Sequence, residues 1–221
     1  MNRSRTSTVT LSKESTIRAL ALAMVATMIS CAANAANITV EQQNQGMAIS
    51  IVGEIKTGDY EKFKAMAAKL PAKSFVALDS DGGIILEAIQ IGEMVRAKKF
   101  RTVAGEVCAS ACALIWVAGA ERGAFDESHI GFHSAYNATT KQISGSANAI
   151  IGAYLSRLGY GYPAIHYMTK VGPESMEWLT IAKANQLGIK VTKVTGRYPK
   201  RSEPPSSEQM PFVVPKSVPQ E

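Results

Sequence analysis

The stretch that most constrains this chain is Gly105–Gly119, GEVCASACALIWVAG. It reads as the end of a strand, a tight turn, and then an apolar helix that opens at Ser110 and Ala111. A serine there has its hydroxyl beside free backbone N–H groups at the positive end of a helix. An enzyme places a nucleophile next to oxyanion donors in this way. A serine at a helix start is also an ordinary N-cap, so this stretch alone leaves both readings open.

The surrounding periodicity gives the frame. Asn37–Val40 and Gly46–Ile55 read as strands, with Met47, Ile49 and Ile51 alternating. Residues 57–70 predict an amphipathic helix, capped by Thr57 and closed by Pro71, with Tyr60, Phe63, Met66, Ala67 and Leu70 on one face. Ser74–Leu78 is a short apolar strand of the kind buried in parallel sheets. Asp79–Gly83 is a turn, Ile84–Lys98 a helix and Phe100–Ala104 a strand. The Ser110 turn and the helix Ala111–Ala120 follow. Gly123–Phe125 and His129–Phe132 are short strands, and Ser134–Ser146 is a polar loop. Ala147–Leu158 and Ala164–Lys170 are helical, Pro173–Trp178 is read as one more helical turn, Thr180–Leu187 is a helix, and Ile189–Val194 is a last strand. Alternating strands and helices predict an α/β domain with parallel strands and right-handed crossovers.

Targeting and redox signals come next. The chain has 221 residues and a formal charge of +6. Half of that excess lies in the first 35 residues, where Arg3, Arg5, Lys13 and Arg18 face Glu14. The remainder has no basic stripe with interleaved aromatics, so nucleic-acid binding is not expected. A basic start, the apolar run Ala19–Ile29 and Ala33-Asn34-Ala35 match a secretory signal with its cleavage site. The run is short for a membrane span. The expected organisation is a signal peptide over 1–35, a folded domain over 36–196, and a Pro/Ser-rich disordered tail over 197–221. The product is then periplasmic or secreted, without stable membrane insertion once the signal is removed. A retained N-terminal anchor, or lipid attachment at Cys31, is the alternative. Cys108 and Cys112 remain on either side of Ser110. In an oxidising compartment such a pair closes a disulfide if its Cα atoms come within about 7 Å. Two small buried hydrophobes are the other reading. The cysteines and histidines lack a zinc spacing, so no metal site is expected.

Attack on an amide or ester needs a hydroxyl, a base and donors for the oxyanion. Ser110 supplies the hydroxyl. The chain has three histidines, His129, His133 and His166. His129 and His133 fall on the same side of one strand, and periodicity does not choose between them. Gly82-Gly83, after a strand and before a helix, lets the backbone approach a ligand closely. The N–H groups of Gly83 and Ala111 are the candidate oxyanion donors.

Taken in order, Asp79-Ser80-Asp81-Gly82-Gly83, Cys108-Ala109-Ser110-Ala111-Cys112 and Gly131-Phe132-His133 resemble the Clp protease proteolytic subunit and its relatives of the ClpP/crotonase fold. Leu179–Ile189, LTIAKANQLGI, resembles the short helix and glycine that this family places before its last strand. The resemblance runs from about Ile49 to Val194. It implies a ClpP/crotonase-like parallel sheet with crossover helices, and a serine endopeptidase with Ser110 as nucleophile, His133 as general base and Gly83 and Ala111 as oxyanion donors. It also implies a peptide or protein substrate, a homo-oligomer and no cofactor.

The chain departs from the family pattern at Asp81, which stands where the family has proline, and in its two cysteines. It also has no aspartate after Asp126. Glu174 and Glu177 are the acids in the region where the family keeps its third member, and Glu174 lies nearer that place. A Ser–His dyad, or a water or backbone carbonyl as third partner, is the alternative. Two other readings compete with the peptidase. One is a crotonase-type acyl-CoA enzyme, which uses no Ser–His pair. The other is a non-catalytic oligomeric binding or scaffold protein that kept the fold.

Overall fold

A computed structural model of the chain describes residues 35–43, 46–196 and 198. The signal peptide expected over 1–35 and the tail expected over 197–221 lie outside these residues, apart from Ala35 and Tyr198.

Strands β1 (Asn37–Gln43) and β2 (Gly46–Val52) form an antiparallel pair in which Ile38 faces Ile51. From β2 onward the sheet is parallel, through β3 (Phe75–Ser80), β4 (Arg101–Ala109), β5 (Arg122–Ala124) and β8 (Thr192–Lys193). Helices α1 (Asp59–Ala67), α2 (Ile85–Ala97) and α3 (Ala111–Trp116) make the successive crossovers. The mixed α/β architecture expected from the strand and helix order is present.

One irregularity positions the site. Along β3 and β4 the register runs Leu78 to Ala104, then Ser80 to Cys108. Two steps on β3 are therefore matched by four on β4, and Gly105 and Glu106 are the extra residues of a bulge. Thr102–Ala104 pairs with β5, whereas Val107–Ala109 pairs with β6 (His129–Phe132). One strand thus serves two neighbours. Its far end delivers Ser110 beside β6, where the Ser110 N–H donates to the Gly131 carbonyl at 2.9 Å. The sequence places the strand end at Ala104; the strand continues to Ala109 because β6 offers it a second ladder.

Helix α3 is buried along its whole length. A short buried helix leaves carbonyls without intrahelical partners, and side chains from elsewhere satisfy them here. Thr102 Oγ1 donates to the Trp116 carbonyl at 2.7 Å, Tyr154 Oη to that of Leu114 at 2.9 Å, and Tyr160 Oη to that of Val117 at 2.7 Å. Burial pushes both phenols above their ordinary pKa, so they stay protonated donors. The Trp116 indole donates to the Gly123 carbonyl at 2.9 Å.

The N-cap position of α1 is Gly58 and not Thr57. Its cap comes from α2: the Glu87 carboxylate accepts from the N–H groups of Gly58 at 3.1 Å and Tyr60 at 2.7 Å. The buried Asp59 accepts from Lys56 N–H and Lys62 Nζ. Helices α4 (Gly145–Arg157), α5 (Tyr162–Thr169) and α6 (Ile181–Gln186) follow β6, with Ser144 and Thr180 capping the first and last of them. The helical turn read over Pro173–Trp178 is instead a turn closed by Ser175 N–H on the Gly172 carbonyl, followed by β7 (Glu177–Trp178). β7 lies antiparallel to β6, Gly131 opposite Trp178, so a free strand edge recruited this segment. The last strand is shorter than expected, because Ile189 turns into the core and only Thr192–Lys193 pair with β5. Tyr198 places its ring 5.8 Å from that of Phe125. Among the described residues no helix is long and apolar enough to cross a membrane.

Candidate active site

Ser110 joins β4 to α3 with φ 54° and ψ −121°. A non-glycine residue in this region is held against a cost of about 1–3 kcal/mol, and such residues cluster at functional sites. An ordinary N-cap has extended backbone angles and accepts from the helix's first N–H groups. Ser110 has neither property: its side chain makes no cap bond. The N–H of Ala111, the first helical residue, donates to no other described residue.

The Gly82-Gly83 backbone lies against this turn. Ile55 N–H donates to the Gly82 carbonyl at 2.8 Å and Ile84 N–H donates to the Ile55 carbonyl at 2.9 Å. These bonds leave the Gly83 N–H on the opposite side, without an acceptor among the described residues. Gly82 has φ 114°, and a Cβ there would stand 2.8 Å from Ser110 Cβ and 3.1 Å from Ala111 N. Gly82 and Ala111 N therefore lie directly against Ser110.

His133 follows β6. Ser110, Ala111 and His133 line one cleft with Ile85, Leu114, Phe132, Ala135, Ile151 and Met168. The other two histidines are elsewhere. His129 sets its ring edge-on to Trp178 at 5.9 Å, and His166 stacks on Tyr162. Of the three histidines, His133 is the one that lines the cleft, just after the end of β6 at Phe132.

His133 Nδ1 lies 2.8 Å from the Ser134 carbonyl. A carbonyl only accepts, so Nδ1 carries the proton and Nε2 is the basic nitrogen. Burial lowers the imidazole pKa from its ordinary value, and the contact with the Ser134 carbonyl partly opposes this. Ser134 is buried, and its N–H and hydroxyl both donate to the Val171 carbonyl, at 2.8 and 2.7 Å. Asn148 of α4 grips the next residue: Oδ1 accepts from Ala135 N–H at 2.8 Å, and Nδ2 donates to the Ala135 carbonyl at 3.0 Å. The sequence reading assigned no role to Ser134, Val171 or Asn148. Their partners are 13 to 37 residues away, and no local pattern announces them.

Glu174 is not brought to His133. It is exposed in the turn before β7, and no hydrogen bond or ion pair among the described residues joins the two. Glu177 pairs with Lys170 at 2.9 Å.

Cys108 and Cys112 are joined as a disulfide across Ser110, with Cα atoms 5.2 Å apart. Both are fully buried. Among the described residues no group of three or more His, Cys, Asp or Glu side chains is placed to hold a metal ion.

No protein-family model matches the chain, and no curated protein matches it. Solved structures do. ClpP1 from Listeria monocytogenes aligns with a TM-score of 0.50 at 18% identity, over 66% of this chain and 91% of its own. A mutant of the same protein gives 0.51 at 17% identity, over 67% and 92%. A mutant of the 1510-N membrane-bound stomatin-specific protease gives 0.52 at 17%, over 67% and 78%. The chain therefore has a ClpP-like α/β fold, one that proteases use. At these identities the likeness is one of fold, and the chemistry must be argued from this chain's own residues.

Proposed function

We propose that this chain is an exported serine peptidase. The observation that carries the reading is that Ser110, in its strained turn, lines one cleft with Ala111 and His133, with the Gly82 backbone packed against the turn. In the reaction, Ser110 Oγ attacks the carbonyl carbon of a peptide bond and its proton passes to His133 Nε2. The carbonyl oxygen becomes an oxyanion and accepts from Gly83 and Ala111. The imidazolium then protonates the leaving amine, and water, activated by the same nitrogen, releases the acyl group from Ser110. The Ser134 carbonyl fills the orienting place for which Glu174 was expected, and it fixes the imidazole tautomer. No cofactor enters these steps.

The substrate class proposed is an unfolded protein or peptide, and the working form a homo-oligomer. The signal-like N-terminus and the Cys108–Cys112 bridge support a periplasmic or secreted location. Turnover of casein by the full chain tests the activity. Loss of turnover in Ser110→Ala, with unchanged far-UV circular dichroism, is the expected result. Cleavage that survives this substitution rules the mechanism out.

A further inference from the structure

We propose that the Cys108–Cys112 bridge is a positioning clamp for Ser110, so that the nucleophile is set only once the two thiols have been oxidised. The inference rests on the peptidase reading of the same site.

The bridge is poorly suited to stabilising the whole fold. The entropy that a cross-link removes from the unfolded chain grows with the length of the loop it closes. This bridge spans four positions. Its constraint falls on the three residues it encloses, Ala109, Ser110 and Ala111, and the middle one holds the unfavourable backbone conformation. Cys108 is anchored in β4, between Ser80 of β3 and Ile130 of β6. Cys112 is the second residue of α3. The bond therefore ties a strand end to a helix start across the nucleophile.

Side chains do little to restrain that segment. Its flanking residues are alanines, and the neighbour on the other side, Gly82, has no side chain. The Ser110 N–H bond to Gly131 holds the entry to the turn, and a long bond of 3.3 Å from Leu114 N–H to the Ser110 carbonyl is a weak restraint on ψ of Ser110. That angle sets the plane of the next peptide, and hence the direction of the Ala111 N–H. A relaxation of Ser110 toward ordinary N-cap angles would therefore move the hydroxyl and one oxyanion donor together.

Closing the bridge removes two electrons and two protons from the Cys108 and Cys112 thiols. A disulfide oxidant takes them up and becomes two thiols. A chain with both thiols reduced keeps the fold and lacks the set nucleophile.

The test uses the full chain in three forms: oxidised with glutathione disulfide, prepared under reducing conditions, and as the Cys108→Ala/Cys112→Ala variant. The rate constant for inactivation by a fluorophosphonate and its apparent binding constant are measured separately. Amide hydrogen exchange is followed over residues 105–116. The reduced chain and the variant are expected to inactivate more slowly by on the order of 10- to 100-fold, with the binding constant unchanged. Oxidation restores the reduced wild type and leaves the variant unaffected. Equal inactivation rates in all three forms overturn the clamp. If the oxidised chain does not react at all, the peptidase reading fails on its own, and hydrogen exchange judges the clamp. Faster exchange at Ser110 and Ala111 on reduction supports it; unchanged exchange overturns it.

Discussion

Gly82 and Ser110 are in contact through a space that admits no side chain: a Cβ on the glycine would stand 2.8 Å from the serine Cβ. The same Cβ would crowd Ala111 N, and Gly82 has φ 114°, which an L side chain rarely adopts. Gly82→Ala must therefore push the Ser110 turn away or strain its own backbone, at a cost of about 1–3 kcal/mol. The expected outcome is a melting temperature lowered by several degrees, and labelling of Ser110 slowed by about tenfold or more. A Gly82→Ala protein that labels at the wild-type rate would show that the oxyanion corner is not built here.

The pH dependence follows from His133. Burial disfavours the imidazolium, so its pKa in the folded chain lies below the ordinary histidine value of about 6.5. The base works as neutral imidazole. The labelling rate should be flat above about pH 6.5 and fall only at more acid pH, with its midpoint below that value. The stability sign is the same. Between the two pKa values the unfolded chain binds the proton more readily, so His133 destabilises the fold as pH drops through that window and has no such effect above it. A midpoint above 6.5 would mean that a carboxylate supports the imidazolium after all.

Two substitutions separate the candidate orienting groups. Glu174 is exposed and shares no hydrogen bond or ion pair with His133 among the described residues, so Glu174→Gln should leave the labelling rate and its pH profile unchanged. Ser134→Ala removes the hydroxyl bond to the Val171 carbonyl, worth about 1 kcal/mol net. That loosens the carbonyl that holds His133 Nδ1. A severalfold slower rate with an intact fold is expected, seen in the inactivation rate constant and not in reagent affinity. The reverse pattern, a slow Glu174→Gln and a normal Ser134→Ala, would return the acid to the mechanism.

Glu87→Ala tests the long-range cap. It strips two charge-assisted bonds from the start of α1 and should cost about 1.5–3 kcal/mol in urea unfolding. None of the cleft-lining residues is a partner in these two bonds, so labelling below the unfolding transition should be unaffected.

The parts of this account that were legible in the sequence are those in which chemistry is local. Ser110 between small residues, the glycine pair at 82–83 and the two flanking cysteines each state a backbone requirement within a few positions. The order of strands and helices shows in hydrophobic periodicity. What could not be read depends on partners distant in sequence. The bulge at Gly105–Glu106 exists because β4 pairs first with β5 and then with β6. The segment Glu177–Trp178 is a strand only because β6 has a free edge. Glu87 caps a helix 27 residues before it, and the Ser134 carbonyl takes up His133 through a turn held by Val171. The expectation for Glu174 came from the family's acid position, and in this chain that position lies on an exposed turn.

The most direct measurement is covalent labelling of the full, oxidised chain with a fluorophosphonate, followed by mass-spectrometric mapping of the modified residue. The account predicts one adduct, on Ser110, that disappears in Ser110→Ala and is strongly reduced in His133→Ala. A folded, oligomeric chain that takes no label on Ser110, or takes it equally well without His133, would contradict the claim that these two residues form an active nucleophile and its base.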